Sequence, residues 1–413
     1  MLRFLSNPRA AGVLACVAFL LIGWAGLLVP SLIRSIEQDF DQSDAGMGVF
    51  YFLNAVTYAT GSLGGGILTE RFGRRRILVL AAALLGLGLA VLGTVPIWAA
   101  VLVASVLMGF GAGAIDGGVN GLVLDLYPEA RGRALNTAHL FFSVGALASP
   151  LIVGRLVETG VAWQTVVVGT AAATLPFALL LGLVNLPHGR HTQEAVRGGT
   201  SVGRPALSWP LIALAVAISC YVASEIGVSS WLVRFLDPAP LTLATTGLSL
   251  FWAGLAVGRL VSARISDRFD HLHYAIVSAL IAAVATVAAV LVPSVGASIL
   301  LFAVVGFGSG PVFPLIVAIG GERYPARSAA VSGFLTASAV AGSVIYPPIM
   351  GFLSVNVGLA VAMLGAGGLA FAAAGALLLA GGPDRNSSPI RPTHSEGRSV
   401  PGDRGADVLD RES

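Results

Sequence analysis

The sequence predicts an all-α membrane protein: twelve transmembrane helices arranged as two parallel six-helix halves. Three observations predict it. Hydrophobic residues make up 56% of the 413 and charged residues only 11%, against roughly 45–50% and roughly 25% in an average globular domain. The charges collect in short turns and in the last thirty residues, which leaves twelve apolar runs able to face lipid. Residues of the first half also recur in the second at a constant displacement of 197 positions.

The runs fall at 11–33, 45–68, 75–95, 98–123, 134–156, 162–184, 209–233, 243–264, 273–293, 297–320, 328–352 and 356–380. Each is near the roughly 20 residues that cross about 30 Å of hydrocarbon. The first run resembles a signal peptide in position, but its length, its eleven successors and the lack of a convincing cleavage signal make it span one. Arg71, Arg74, Arg75 and Arg76 follow span two, Arg131 and Arg133 span four, Arg190, Arg197 and Arg204 span six, Arg264 and Arg268 span eight, and Arg323 and Arg327 span ten. The other side has Arg34, Arg155 and Arg234 with Glu37, Asp39, Asp41, Asp44 and Glu158 nearby. Arginine-rich loops stay inside, so the expected location is the inner (cytoplasmic) membrane with both termini cytoplasmic.

The repeat gives the architecture. Glu70-Arg71-Phe72 matches Asp267-Arg268-Phe269, and the glycine-rich stretch 109–113 matches 306–310. Asp125 matches Glu322, Tyr127-Pro128 matches Tyr324-Pro325, and Gly145, Pro150 and Gly154 match Gly342, Pro347 and Gly351. Six spans per half start both halves on the same side, giving parallel repeats with a substrate site near mid-membrane at their interface. The expected division is a bundle at 1–187, a cytoplasmic linker at 188–208, a second bundle at 209–380 and a disordered cytoplasmic tail at 381–413.

Composition also excludes classes. A soluble enzyme core is ruled out, and a net charge of +3 with no soluble face to carry it does not point to nucleic acid. Cys16 and Cys220 lie in apolar runs and read as small buried hydrophobes. No clustered ligand spacing indicates a metal, so no metal or cofactor is expected.

Between spans two and three stands Gly66-Ile-Leu-Thr-Glu70-Arg71-Phe72-Gly73-Arg74-Arg75. It resembles the loop signature Gly-x-x-x-Asp-Arg-x-Gly-Arg-Arg of the major facilitator superfamily, with Glu70 in place of Asp. The second copy, around Asp267 and Arg268, lacks the glycines and following arginines. The resemblance covers about residues 11–380 and implies the major facilitator fold, with alternating access by rocking of two bundles. Physically, Gly66 suits close helix approach and Gly73 a tight turn, while Glu70, Arg71 and Arg74 suit charge-assisted bonds with Asp125 across a cytoplasmic gate. Asp267, Arg268 and Glu322 form the corresponding set, and Arg259 is expected to snorkel into the same gate rather than neutralise an anion. By the resemblance, the network helps hold the outward-facing state; the bland alternative is a solvated turn that only fixes topology.

Asp116 and Asn120 are the candidate centre. Four residues apart in span four, they share a helix face, and neither suits lipid. A carboxylate there can accept substrate hydroxyls or carry a proton, and the amide both donates and accepts. His139 in span five and Glu225 in span seven are further candidates for substrate binding or proton exchange, with a hydrogen-bonded core role open for each. Trp24, Asn54, Tyr58, Phe142, Gln164, Trp252 and Tyr346 complete a set of aromatics and amides that suits a polyhydroxylated solute.

A closer resemblance is to fucose-permease-like sugar transporters, carried by Gly109 to Asn120, Arg133-Ala-Leu-Asn136-Thr-Ala-His139 and Tyr221-Val-Ala-Ser-Glu225. It implies that Asp116 serves proton coupling or sugar recognition. The expected function is therefore a secondary active transporter, not an enzyme: a monomer in the lipid bilayer, taking up a sugar or related small polar solute with a proton as coupling ion. The alternatives are proton-coupled drug or metabolite efflux, and a non-transporting membrane sensor or scaffold.

Overall fold

A computed structural model describes residues 8–184, 186, 208–237 and 239–381, without the side chains of Pro8, Glu70, Arg131, Asn136, Ala326 and Ala329. The described residues form thirteen α-helices that make twelve spans. The first bundle contains α1 (Pro8–Phe40), α2 (Asp44–Phe72), α3 (Arg74–Thr94), α4 (Trp98–Leu126), α5 (Arg131–Glu158) and α6 (Trp163–Leu183). The second contains α7 (Trp209–Phe235), α8 (Leu241–Ile265), α9 (His271–Leu291), α10 (Val295–Ser309), α11 (Val312–Arg323), α12 (Ser328–Val357) and α13 (Leu359–Ala380). Apart from Ser208 and Gly381, the expected linker and tail lie outside the described residues.

Two elements depart from the expected spans. The tenth span is broken at Gly310-Pro311 into α10 and α11, because proline lacks the N–H and its ring crowds the carbonyl four residues back. Its repeat counterpart α4 carries no proline and runs unbroken. Span one continues seven residues past its expected end, to Phe40, because Arg34 and Glu37 find partners on the second bundle instead of forming a loop.

Eleven helical segments are long and apolar enough to cross a membrane by composition alone. The remaining span, α2, has the length at 29 residues but carries Asn54, Thr57, Tyr58, Thr60 and Ser62. Its neighbours account for this polarity: Asn54 donates to the Ser105 carbonyl at 3.0 Å and Ser62 to Asp116 at 3.3 Å, both on α4. Asn54 and Ser62 thus join α2 to α4, while Thr57 and Thr60 donate to carbonyls of α2 itself.

The 197-residue displacement reappears as matching contacts. A Cβ at Gly113 would strike the Tyr58 carbonyl and Ser62 amide, and one at Gly310 the Leu255 carbonyl and Arg259 amide. The α2–α4 and α8–α10 crossings are thus built alike, with backbone against backbone where any side chain would intervene. Gly73 turns α2 into α3 at φ +90°, a conformation that favours glycine.

The helices alternate in direction, so one end of the molecule carries the arginine-rich turns after α2, α4, α8 and α11 (the basic end) and the other the acids around Asp39 and Asp44 (the acidic end). Among the described residues, hydrogen bonds and ion pairs between the bundles gather in the acidic-end half. Arg234 reaches Glu37 and Asp44 at 2.8 Å each, and Arg34 reaches the Val233 carbonyl at 2.9 Å and the Ala239 carbonyl at 2.8 Å. Ser354 donates to Asp44, Thr242 to Glu158, and Tyr51 to the Ser230 carbonyl. Gly48 packs on Gly351 and Gly154 on Thr245, contacts that exchange under the 197-residue displacement.

Candidate functional site

Asp116 and Asn120 occupy one face of α4, as their spacing requires. Asn120 Nδ2 donates to Asp116 Oδ1 at 3.0 Å, and Ser62 Oγ donates to Asp116 Oδ2 at 3.3 Å. The Tyr58 hydroxyl is a further hydrogen-bond partner of Asp116. Gly113 and Gly117 create this cluster by letting the α2 backbone lie against α4. All these partners are neutral donors, so Asp116 is solvated by the protein without a cation bonded to it.

His139 extends the row. Its Nε2 lies 3.2 Å from Asn120 Oδ1, and its ring is 4.5 Å from that of Phe19. Because Asn120 turns its N–H toward a carboxylate, its oxygen faces His139, which places a proton on Nε2. His139 is exposed although it sits within α5; it borders the space between the bundles.

The second bundle supplies the facing groups. Glu225 on α7 is buried and accepts from Tyr221, one helical turn away. Arg259 on α8 lies within electrostatic reach of both His139 and Glu225. The structure thus brings Arg259 to the embedded set. Phe142 of α5 meets Trp252 of α8 edge-on at 5.9 Å, and Trp252 Nε1 donates to Ser229 at 3.0 Å.

The other expected cavity residues use their polar atoms to join helices. Trp24 donates to Thr170 at 3.0 Å, Asn54 to the Ser105 carbonyl, and Tyr346 to the Ala362 carbonyl at 2.7 Å. Gln164 lies at the acidic end, where it and Trp163 donate to Asp39 at 2.7 and 2.6 Å. These four are apart from the Asp116 row.

At the basic end Arg74 pairs with Asp125 at 2.7 Å, with side chains only 5% and 8% exposed. Arg71 is exposed and lies over the Phe72 ring at 5.4 Å. The Glu70 side chain falls outside the described residues. Around Gly66 there is open space, and the close approach to α4 falls on Gly65 against Ala114. In the second copy, Asp267 and Arg268 are exposed, and Glu322 pairs with His271 at 2.7 Å. His271 stands 197 residues after Arg74, as Glu322 does after Asp125, so the ion pair is repeated with histidine for arginine. A search for a second arginine passes over it.

Sequence reasoning also missed the acidic-end cluster, having counted Arg34, Glu37 and Arg234 only for orientation. A signal was present: Glu37 and Arg234 occupy equivalent repeat positions with opposite charge. Opposite charges at symmetry-related positions are what joining two similar bundles calls for. Among the described residues no group of His, Cys, Asp and Glu could hold a metal ion.

An MFS-type transporter of Yersinia pestis is 25% identical to this chain, over 84% of it and 89% of the relative. A glucose/galactose transporter of Brucella abortus is also 25% identical, over 82% and 85%. Among solved structures, a bacterial homolog of the human lysosomal transporter Spinster in its inward-facing and occupied conformation gives a TM-score of 0.75 at 17% identity, covering 91% of this chain and 97% of that one. The E. coli fucose:proton symporter gives 0.60 at 20% identity, covering 90% and 98%. These likenesses show the fold, and they narrow the fucose-permease expectation to the wider superfamily. The sequence pattern described as Major Facilitator Superfamily matches residues 13–332 and again 239–404, and the chain belongs to that superfamily of secondary active, alternating-access transporters.

Proposed function

We propose that the chain takes up a sugar or related small polar solute together with a proton. The observation that carries this reading is the polar row Tyr58, Ser62, Asp116, Asn120 and His139, which borders the space between the bundles opposite Glu225 and Arg259. Amide, imidazole and carboxylate groups in a membrane interior suit a hydroxylated solute, and a carboxylate surrounded by neutral donors suits a proton that comes and goes. The name of the Brucella abortus relative agrees with a sugar. With the arginine-rich end in the cytoplasm, the ion pairs between the bundles at the acidic end hold the outer side together.

In the cycle, the acidic end opens, Asp116 or Glu225 takes a proton while the solute bonds to Asn120 and His139, the acidic end closes, and both cargoes leave at the basic end. The test is counterflow of sugars in liposomes, with and without an inward proton gradient. Wild-type protein accumulates a solute with the gradient, and Asp116→Asn keeps counterflow but loses gradient-driven uptake; identical responses remove Asp116 from coupling. A second reading, proton-coupled export of hydrophobic metabolites, draws on the Phe142–Trp252 pair between the bundles. Sugar indifference with selective drug–proton antiport selects it.

A further inference from the structure

We propose that Arg259 is an anion-binding element of the central site and that the transported solute is a polyhydroxylated carboxylate, a sugar acid rather than a neutral sugar. This inference rests on the uptake reading above and specifies its substrate class.

Arg259 stands six residues before the end of α8, about 9 Å inside the basic end at 1.5 Å per residue. Among the described residues it has no hydrogen bond and no ion pair, whereas Arg34, Arg74 and Arg234 are each paired. Glu225 is within electrostatic reach, but its bonded partner is Tyr221. Among the described residues the guanidinium fork has no bonded partner, and His139 of the opposite bundle lies within its electrostatic reach.

The repeat shows what is unusual about it. Ser62 occupies the equivalent position, its amide against Gly113 as the Arg259 amide lies against Gly310. The hydroxyl of Ser62 belongs to the Asp116 row. The same place on the same crossing thus holds a neutral donor in one half and an unbonded cation in the other. A neutral sugar would satisfy the row at Asp116, Asn120 and His139 but would desolvate Arg259 without supplying charge. A carboxylate accepts the fork in bidentate fashion, while the hydroxyls of the same molecule serve the row. Each proton taken by Asp116 or Glu225 raises the charge of the site by one unit, and the carboxylate of a sugar acid offsets it, so a proton and a sugar acid are complementary cargoes.

The test measures binding of D-glucose, D-gluconate and D-glucuronate to the full-length protein in nanodiscs. A charged hydrogen bond distinguishes ligands by about 10- to 100-fold, so one of the acids should bind that much more tightly than glucose. Arg259→Gln should reduce acid affinity to the level of glucose, with a smaller effect on glucose, and Arg259→Lys, which keeps charge but loses the fork, should fall between. Should Arg259→Gln fail to fold, the wild-type preference and Arg259→Lys decide the matter. Equal or stronger binding of glucose overturns the anion assignment and leaves the sugar reading standing, as does equal weakening of all ligands by both variants. If wild-type protein binds none of the three, the sugar reading falls and the assignment falls with it.

Discussion

The two ends of the molecule use charge differently. Among the described residues, the basic-end pairs that join two spans stay within one bundle: Arg74 on α3 with Asp125 on α4, and His271 on α9 with Glu322 on α11. At the acidic end, Arg234 on α7 crosses between bundles to Glu37 on α1 and Asp44 on α2. The first kind makes each bundle a stiff body; the second is a clamp that must release for the acidic end to open. Mutations at the basic end should therefore change stability within a bundle, and mutations at the acidic end should change the balance between conformations.

The largest effect is expected from Arg74→Gln. Both members of its pair are almost fully buried, where a charged hydrogen bond sits at the upper end of about 1.5–3 kcal/mol. Thermal unfolding in detergent should show a marked fall in Tm, with the ratio of conformations in the surviving protein unchanged; a shift in that ratio would blur the division between ends. Arg234→Gln comes next. It removes charged hydrogen bonds worth about 1.5–3 kcal/mol each only from the clamped state, so the population with the acidic end open should rise several-fold, as read by the distance between labels at Gln38 and Leu243.

His271→Gln should cost about 0–1 kcal/mol, because its pair is more exposed, at 21% and 57%. Asp270 caps α9 by accepting the His273 N–H at 2.8 Å. That bond and the His273 side chain hold its carboxyl below the ordinary carboxylate value. Its contribution is therefore present above the unfolded value and lost as pH falls through the lowered one. Asp270→Ala should cost about 1 kcal/mol at neutral pH and less in acid; a constant difference across pH would remove the cap from the account.

The fold was legible because a bilayer forces long apolar helices, and the repeat then imposed two like bundles. Asp116 and Asn120 were legible because a spacing of four places them on one face. What stayed hidden depended on partners far away in the chain. Arg34 and Glu37 look like loop residues until α7 arrives beside α1, and Asn54 and Trp24 look like ligands until their donors meet α4 and α6. The second basic-end pair was obscured by an exchange of arginine for histidine, and the break in span ten at Pro311 was obscured because Pro30, Pro150 and Pro176 lie inside helices that run unbroken.

The central claim is that two bundles rock about a site between them. Spin labels at Ile67 and Ser332 report the basic end, and labels at Gln38 and Leu243 the acidic end, in cysteine-substituted protein reconstituted in nanodiscs. On adding transported solute, and separately in Arg234→Gln, a second population should appear in both pairs, shorter at the basic end and longer at the acidic end, in equal fractions. A single unchanged distance at both ends, in protein that shows solute counterflow, would contradict the account.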